Sequence, residues 1–174
     1  MTKREIHISY EEYASIDELN PTDRELAAEA IRAMQGVYAP YSNFHVGAAV
    51  LMSGGAIVHG ANQENAAFPS GLCAERTAMF AAGTHYPDED MVSIALAGGL
   101  HGRLGHTPAT PCGACRQVMA QYQTKSGKPM SIIMISADKV WKFEKVDDIL
   151  PLIFNSIGFF TIFATGKSYT TSSL

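Results

Sequence analysis

The residue types best suited to chemistry stand in two short stretches of this sequence. Residues 70–77 read SGLCAERT and residues 111–116 read PCGACR, and together they hold all three cysteines, Cys73, Cys112 and Cys115. Cys112 and Cys115 form a C-x-x-C directly after Pro111, at the start of a predicted helix. That spacing lets two thiolates converge on one ion, while the helix N-terminus offers backbone N–H groups and the positive end of its dipole. Cys73 also stands where a helix begins, so its thiolate is favoured in the same way. Two helix N-termini carrying one and two sulfurs can face each other across one zinc ion. Three protein ligands leave the fourth tetrahedral position to water, the arrangement of catalytic rather than structural zinc.

Glu75 follows Cys73 by two residues, an offset that places its carboxylate beside the metal-bound water without making it a ligand. A carboxylate there can shuttle protons. Arg76, three residues from Cys73, can turn back toward the thiolates. Zinc with three thiolates carries a net negative charge, and a guanidinium nearby keeps the site from becoming too electron-rich to activate water. A lone C-x-x-C also marks redox pairs and halves of zinc knuckles. The redox reading leaves Cys73 and Glu75 without a role, and the knuckle lacks a fourth ligand at zinc-finger spacing. His101 and His106, in the loop before Cys112, are candidates to close the shell; the alternative for both is a solvent-facing position.

These residues need elements to hold them. Residues 1–20 are polar and acidic, and read as an extension preceding a single domain over 21–174. Asn20-Pro21-Thr22-Asp23 supplies helix-start chemistry, Leu26, Ala30, Ile31 and Met34 recur at helical spacing, and Gly36 ends that helix. The run HVGAAVLM over 45–52, a Ser-Gly-Gly turn and the apolar resumption at 56–58 predict a hairpin over 45–61. A helix over 73–82, a buried strand over 92–97, a Gly- and Pro-rich loop over 98–111, a helix over about 113–123 and a strand over 130–136 follow. Strands alternating with helices after an opening hairpin imply a three-layer α/β/α sandwich with a mixed sheet.

Composition narrows the function. The chain has 174 residues, 47% of them hydrophobic and 17% charged, the balance of one globular domain. A formal net charge of −4 argues against a grip on a phosphate backbone, which needs a basic face, so no nucleic-acid partner is expected. The N-terminus has no apolar core for an export signal, which predicts a cytoplasmic protein with free thiols. The apolar stretch over 149–164 falls short of the roughly 20 residues a spanning helix needs, and Pro151, Asn155 and Gly158 interrupt it. It is expected to form a subunit contact, with no membrane involved.

Cys73-Ala-Glu75 followed by Pro111-Cys-Gly-Ala-Cys115 matches the zinc deaminase signature, in which a Cys or His stands two residues before a catalytic Glu and P-C-x-x-C follows. More closely, the chain resembles the small cytidine deaminases of nucleoside salvage. The resemblance rests on residues 38–50 (YAPYSNFHVGAAV), 60–67 (GANQENAA), 73–78 (CAERTA) and 111–117 (PCGACRQ), with a weaker match at Leu150-Pro151 and Phe154, and spans roughly 24–155.

It implies deamination of cytidine and 2′-deoxycytidine, one zinc per chain on Cys73, Cys112 and Cys115, and Glu75 as proton shuttle. It further implies that Asn62 and Glu64 hold the ribose 3′ hydroxyl, that Phe44 and Ala74 line the substrate pocket, and that the protein is a homotetramer. Phe154 would be the aromatic that each subunit lends to a neighbour's pocket. The sequence departs from the pattern at Phe68, where many members carry Tyr, and in its apolar tail after Phe154. A blasticidin-type deaminase shares the zinc motif, but the Asn62-x-Glu64 pair favours a plain nucleoside. A nucleic-acid-editing deaminase would want a basic channel with stacking aromatics. A non-catalytic zinc module would leave Glu75, Asn62 and Glu64 without work.

Overall fold

In the computed structural model, which describes residues 1–155, six strands form one sheet. They are β1 (Glu11–Tyr13), β2 (Phe44–Met52), β3 (Ile57–Ala61), β4 (Met91–Leu100), β5 (Ser131–Ile135) and β6 (Val140–Phe143). The helices are α1 (Pro21–Ala33), α2 (Ala74–His85) and α3 (Gly113–Ser126). Asn20 caps α1 by accepting the Asp23 N–H, and Pro21 sits at the first turn, where its missing N–H costs nothing. Gly127 ends α3 in the left-handed conformation that favours glycine.

The strand order is β1-β6-β5-β4-β2-β3. The β2–β3 hairpin forms as expected, and β4 returns antiparallel to β2. The crossover through α3 makes β4 and β5 the parallel pair, since parallel neighbours need a long connection. The sheet is therefore mixed, and helices cover both its faces. Leu26, Ala27 and Ala30 of α1 pack on Ala49, Ala95, Ala97, Ile133 and Ile135. On the opposite face Ala78, Met79 and Ala82 of α2 and Met119 and Ala120 of α3 pack on Val50, Ile94, Leu96, Ile132 and Met134. Successive β5 residues thus feed two cores, which is why that strand reads as an unbroken apolar run.

Two strands escape the sequence reading. The polar segment assigned to an N-terminal extension supplies β1, which pairs antiparallel with β6 at the sheet edge. Glu12 accepts the Trp141 indole N–H at 2.7 Å, and Tyr10 stacks on Phe143 at 5.1 Å. Leu19, one residue before the α1 cap, is buried in the α1-side core.

The helices lie unusually close to the hairpin at two glycines. A methyl group on Gly47 would collide with backbone of α1, and one on Gly60 with the Ala78 N–H and the Ala74 carbonyl of α2. The second contact seats the first turn of α2, where the candidate chemistry lies, directly against β3. The apolar stretch over 149–164 lies mostly outside the described residues. Among those described, no helix is long and apolar enough to cross a membrane.

Candidate metal centre and substrate pocket

Cys73 and Cys112 occupy the N-cap positions of α2 and α3, and neither side chain caps its own helix. Both sulfurs are therefore available to a common centre. Cys115, one turn into α3, is fully buried beneath them. The Cys73 and Cys112 sulfurs are 3.9 Å apart and those of Cys112 and Cys115 3.5 Å, and all three lie within 4.8 Å of one another. Zn–S bonds of about 2.3 Å at tetrahedral angles would set sulfurs about 3.8 Å apart, so the cluster fits zinc without rearrangement. His101 and His106 are outside it; His106 faces Asp138 at 2.9 Å on the surface.

The charge of the cluster is managed locally. An Arg76 Nη2–H points at the Cys73 sulfur at 3.8 Å, and its buried Nε finds no hydrogen-bond partner among the described residues. The Cys115 thiol, with help from Arg76 and Cys112, pulls the Cys73 thiol down to about 5. The same Cys73 contact and burial push Cys115 upward, so Cys73 is the readier thiolate of the two. Glu75, 4% exposed, sits in the first turn of α2. Burial raises the pKa of its carboxyl, and the Cys73 charge raises it further. A carboxyl held in that state takes up a proton more readily than an exposed one.

Beside the cluster is a cavity of about 220 Å³, walled by Phe44, Val46, Leu96 and Ala109 and edged by Ser42, Asn62 and Thr110. Cys73, Ala74, Glu75 and Cys112 also line it. It is smaller than the roughly 300 Å³ at which drug-sized pockets begin and suits a single planar ring. Phe44, Asn62 and Ala74 thus join the metal cluster and Glu75 around one space. Glu64 faces an adjoining cavity that shares Asn62 and Cys73 and also includes Arg76 and Phe68.

Asn62 and Glu64 are tied to the backbone of residues 41–46. Asn62 accepts the Val46 N–H at 2.8 Å and donates to the Phe44 carbonyl at 2.9 Å. Glu64 Oε2 accepts the Tyr41 N–H at 2.8 Å and the Ser42 N–H at 3.3 Å. The Ser42 hydroxyl and the Tyr41 amide lower the pKa of the Glu64 carboxyl. Phe154 stands apart from this cavity within its own chain, 64% exposed, with its carbonyl accepting from Gln117 at 2.7 Å. Phe68 is exposed and meets Tyr41 edge-on.

Sequence reasoning passed over Ser42, Val46, Leu96, Ala109 and Thr110 as cavity residues. Ser42 lies inside the 38–50 block and Thr110 immediately precedes Pro111, so adjacency to the motifs was their available signal. Ala109 carried none.

Residues 20–128 match the model of the cytidine and deoxycytidylate deaminase zinc-binding region. Over 98 residues the chain is 49% identical to a cytidine deaminase of Halalkalibacterium halodurans, covering 55% of this chain and 68% of that protein. A probable cytidine deaminase of Dictyostelium discoideum is 30% identical over 138 residues, 79% of this chain and 87% of the relative. Among solved structures, the cytidine deaminase of Burkholderia pseudomallei superposes with a TM-score of 0.64 at 38% identity, over 75% of this chain and 97% of the other. That of Mycobacterium tuberculosis gives 0.59 at 32%, over 75% and 95%.

Proposed function

The chain belongs to the cytidine and deoxycytidylate deaminase zinc-binding family, and from that premise we propose that it hydrolyses cytidine and 2′-deoxycytidine to uridine and 2′-deoxyuridine, releasing ammonia. The observation that carries this reading is a buried carboxyl, Glu75, beside a three-sulfur cluster, with Glu75, Cys73 and Cys112 lining a ring-sized cavity. Cys73, Cys112 and Cys115 hold one zinc, which when bound lowers the pKa of its water toward ~7 and so supplies a nucleophile at neutral pH.

The remaining work falls to the chain's own side chains. Glu75 takes the water's proton and passes it to N3 of the cytosine ring, which makes C4 electrophilic. Once the water oxygen has bonded to C4, Glu75 takes the remaining hydroxyl proton and delivers it to the exocyclic amine, which leaves as ammonia as the C4 carbonyl forms. Burial suits Glu75 to both tasks, because it brings the carboxyl's proton affinity closer to those of the groups it serves. Phe44, Val46 and Leu96 exclude bulk water from the ring. Asn62 and Glu64 hold the 3′ hydroxyl of the sugar, with Arg76 tempering the thiolate charge.

The finer assignments belong to the same reading: a homotetramer in which Phe154 enters a neighbour's pocket, acting in pyrimidine salvage in the cytoplasm. Incubation with cytidine, 2′-deoxycytidine and free cytosine, followed by loss of cytosine absorbance, tests it. Turnover of both nucleosides with little action on the free base is expected. Inactivity of the zinc-loaded protein on all three would overturn the proposal.

A further inference from the structure

Arg116 directly follows the buried ligand Cys115, yet its side chain turns away from the sulfurs. Its Nε–H donates to the Pro111 carbonyl at 2.8 Å, and an Nη1–H donates to the Ile149 carbonyl, also at 2.8 Å. The first bond fixes the peptide plane that precedes Cys112. Cys112 is the N-cap of α3 and the exposed member of the cluster, so little other packing sets the direction of its sulfur. The second bond reaches the turn at Val146–Asp148 and the segment after it, where Gln117 Nε2 donates to the Phe154 carbonyl at 2.7 Å. One planar, half-buried fork therefore spans the Cys112 peptide and the start of the C-terminal segment. A guanidinium can do this because its N–H groups diverge at fixed angles; an ammonium cannot.

We infer that Arg116 is a positioning residue that sets the Cys112 sulfur and the segment from Ile149 to Phe154 as one unit. The inference rests on the zinc assignment made above. Groups that orient metal ligands typically change metal affinity by about 10–100-fold when removed. The same fork carries the segment that bears Phe154, so ligand geometry and placement of that aromatic are linked through one side chain.

The zinc content of the wild-type protein, measured first, tests the metal assignment on its own. Zinc release from loaded, folded protein is then followed with a chromogenic chelator, alongside hydrogen exchange of residues 149–154. Arg116→Ala is expected to release zinc at least ~10-fold faster and to exchange faster over 149–154. Arg116→Lys keeps the charge but not the fork, and is expected to fall between that variant and wild type. Gln117→Ala cuts only the Phe154 tie, so it should speed exchange near Phe154 while zinc release stays at the wild-type rate. Thermal midpoints taken in parallel separate a general loss of stability, which would not order the variants this way. Zinc release at the wild-type rate from Arg116→Ala overturns the inference. Should that variant fail to fold, a wild-type rate from Arg116→Lys does so. Equal acceleration by Gln117→Ala also overturns it, since the segment rather than the fork would then be setting Cys112.

Discussion

At the metal corner, Cys73 and Cys112 leave their helix N-termini uncapped and turn their sulfurs toward each other. Asn62, on the cavity wall, and Glu64, in the adjoining cavity, turn their polar atoms onto the backbone of residues 41–46. The corner is assembled from residues three or fewer positions apart on each of two helices. The wall joins residues 16 to 23 positions apart. The corner's side chains turn chiefly to one another, whereas the wall's side chains tie the backbone around the pocket and, under the proposed function, would also face the substrate. Chemistry should therefore be separable from architecture at the corner and inseparable from it at the wall.

The largest expected effect tests the first half of that contrast. Glu75→Gln keeps the shape of the side chain but cannot carry a proton, so turnover should fall by ~10²–10⁴-fold in steady-state assays. Zinc should stay near one per chain, and the thermal midpoint should hold or rise, because burial penalises the ionised carboxylate and not the amide. A marked drop in stability would show that the corner is architectural after all.

Next in size is Asn62→Ala, which removes the acceptor for the Val46 N–H and the donor to Phe44. An unsatisfied backbone group of this kind costs about 1–3 kcal/mol. Denaturant unfolding should register that loss while KM for cytidine rises, the two changing together as the contrast requires. An effect on KM with unchanged stability would break it.

Glu64→Gln should be milder, since the amide oxygen can still accept from Tyr41. KM should rise for cytidine and stay unchanged for free cytosine, which has no sugar. The Ser42 and Tyr41 contacts hold Glu64 below its ordinary value of 4.5, so their contribution is complete above that pH and is lost as pH falls through the lower folded value. Stopped assays across pH 3–6 check the direction.

The smallest effect lies far from both regions. Glu12 is likewise held below 4.5, first by the Trp141 indole and then by Lys139. Trp141 is the single tryptophan, so its fluorescence reports the β1 edge. Acidification through the lowered Glu12 value should change that emission before far-ultraviolet dichroism is lost, and Glu12→Gln should abolish the early change.

The corner was legible in the sequence because its information is local: Cys73 to Arg76 and Pro111 to Cys115 need only a helix start each. The hairpin, all three helices, both buried strands and the layered α/β/α plan were legible for the same reason, through apolar periodicity and turn residues. The strands β1 and β6 were not, because Glu11–Tyr13 and Val140–Phe143 are short, and the charges of Glu11, Glu12 and Lys142 break up any apolar pattern. The backbone ties of Asn62 and Glu64 and the fork of Arg116 were hidden as well. Each depends on which distant carbonyl or amide the fold delivers, and no spacing rule encodes that.

The pairing of β1 with β6 has a consequence for how the molecule comes into being. Glu12 and Trp141 lie 129 positions apart, so β1 is made well before the strand it pairs with. Closing so long a loop is costly in entropy, and non-local pairings of this kind slow folding. Until Val140–Phe143 has been synthesised, Glu11 and Glu12 have no ladder to join, and their charge discourages pairing with another chain's strand in the interval. The acidic character that concealed β1 in the sequence thus protects the nascent chain while its partner strand is still being made.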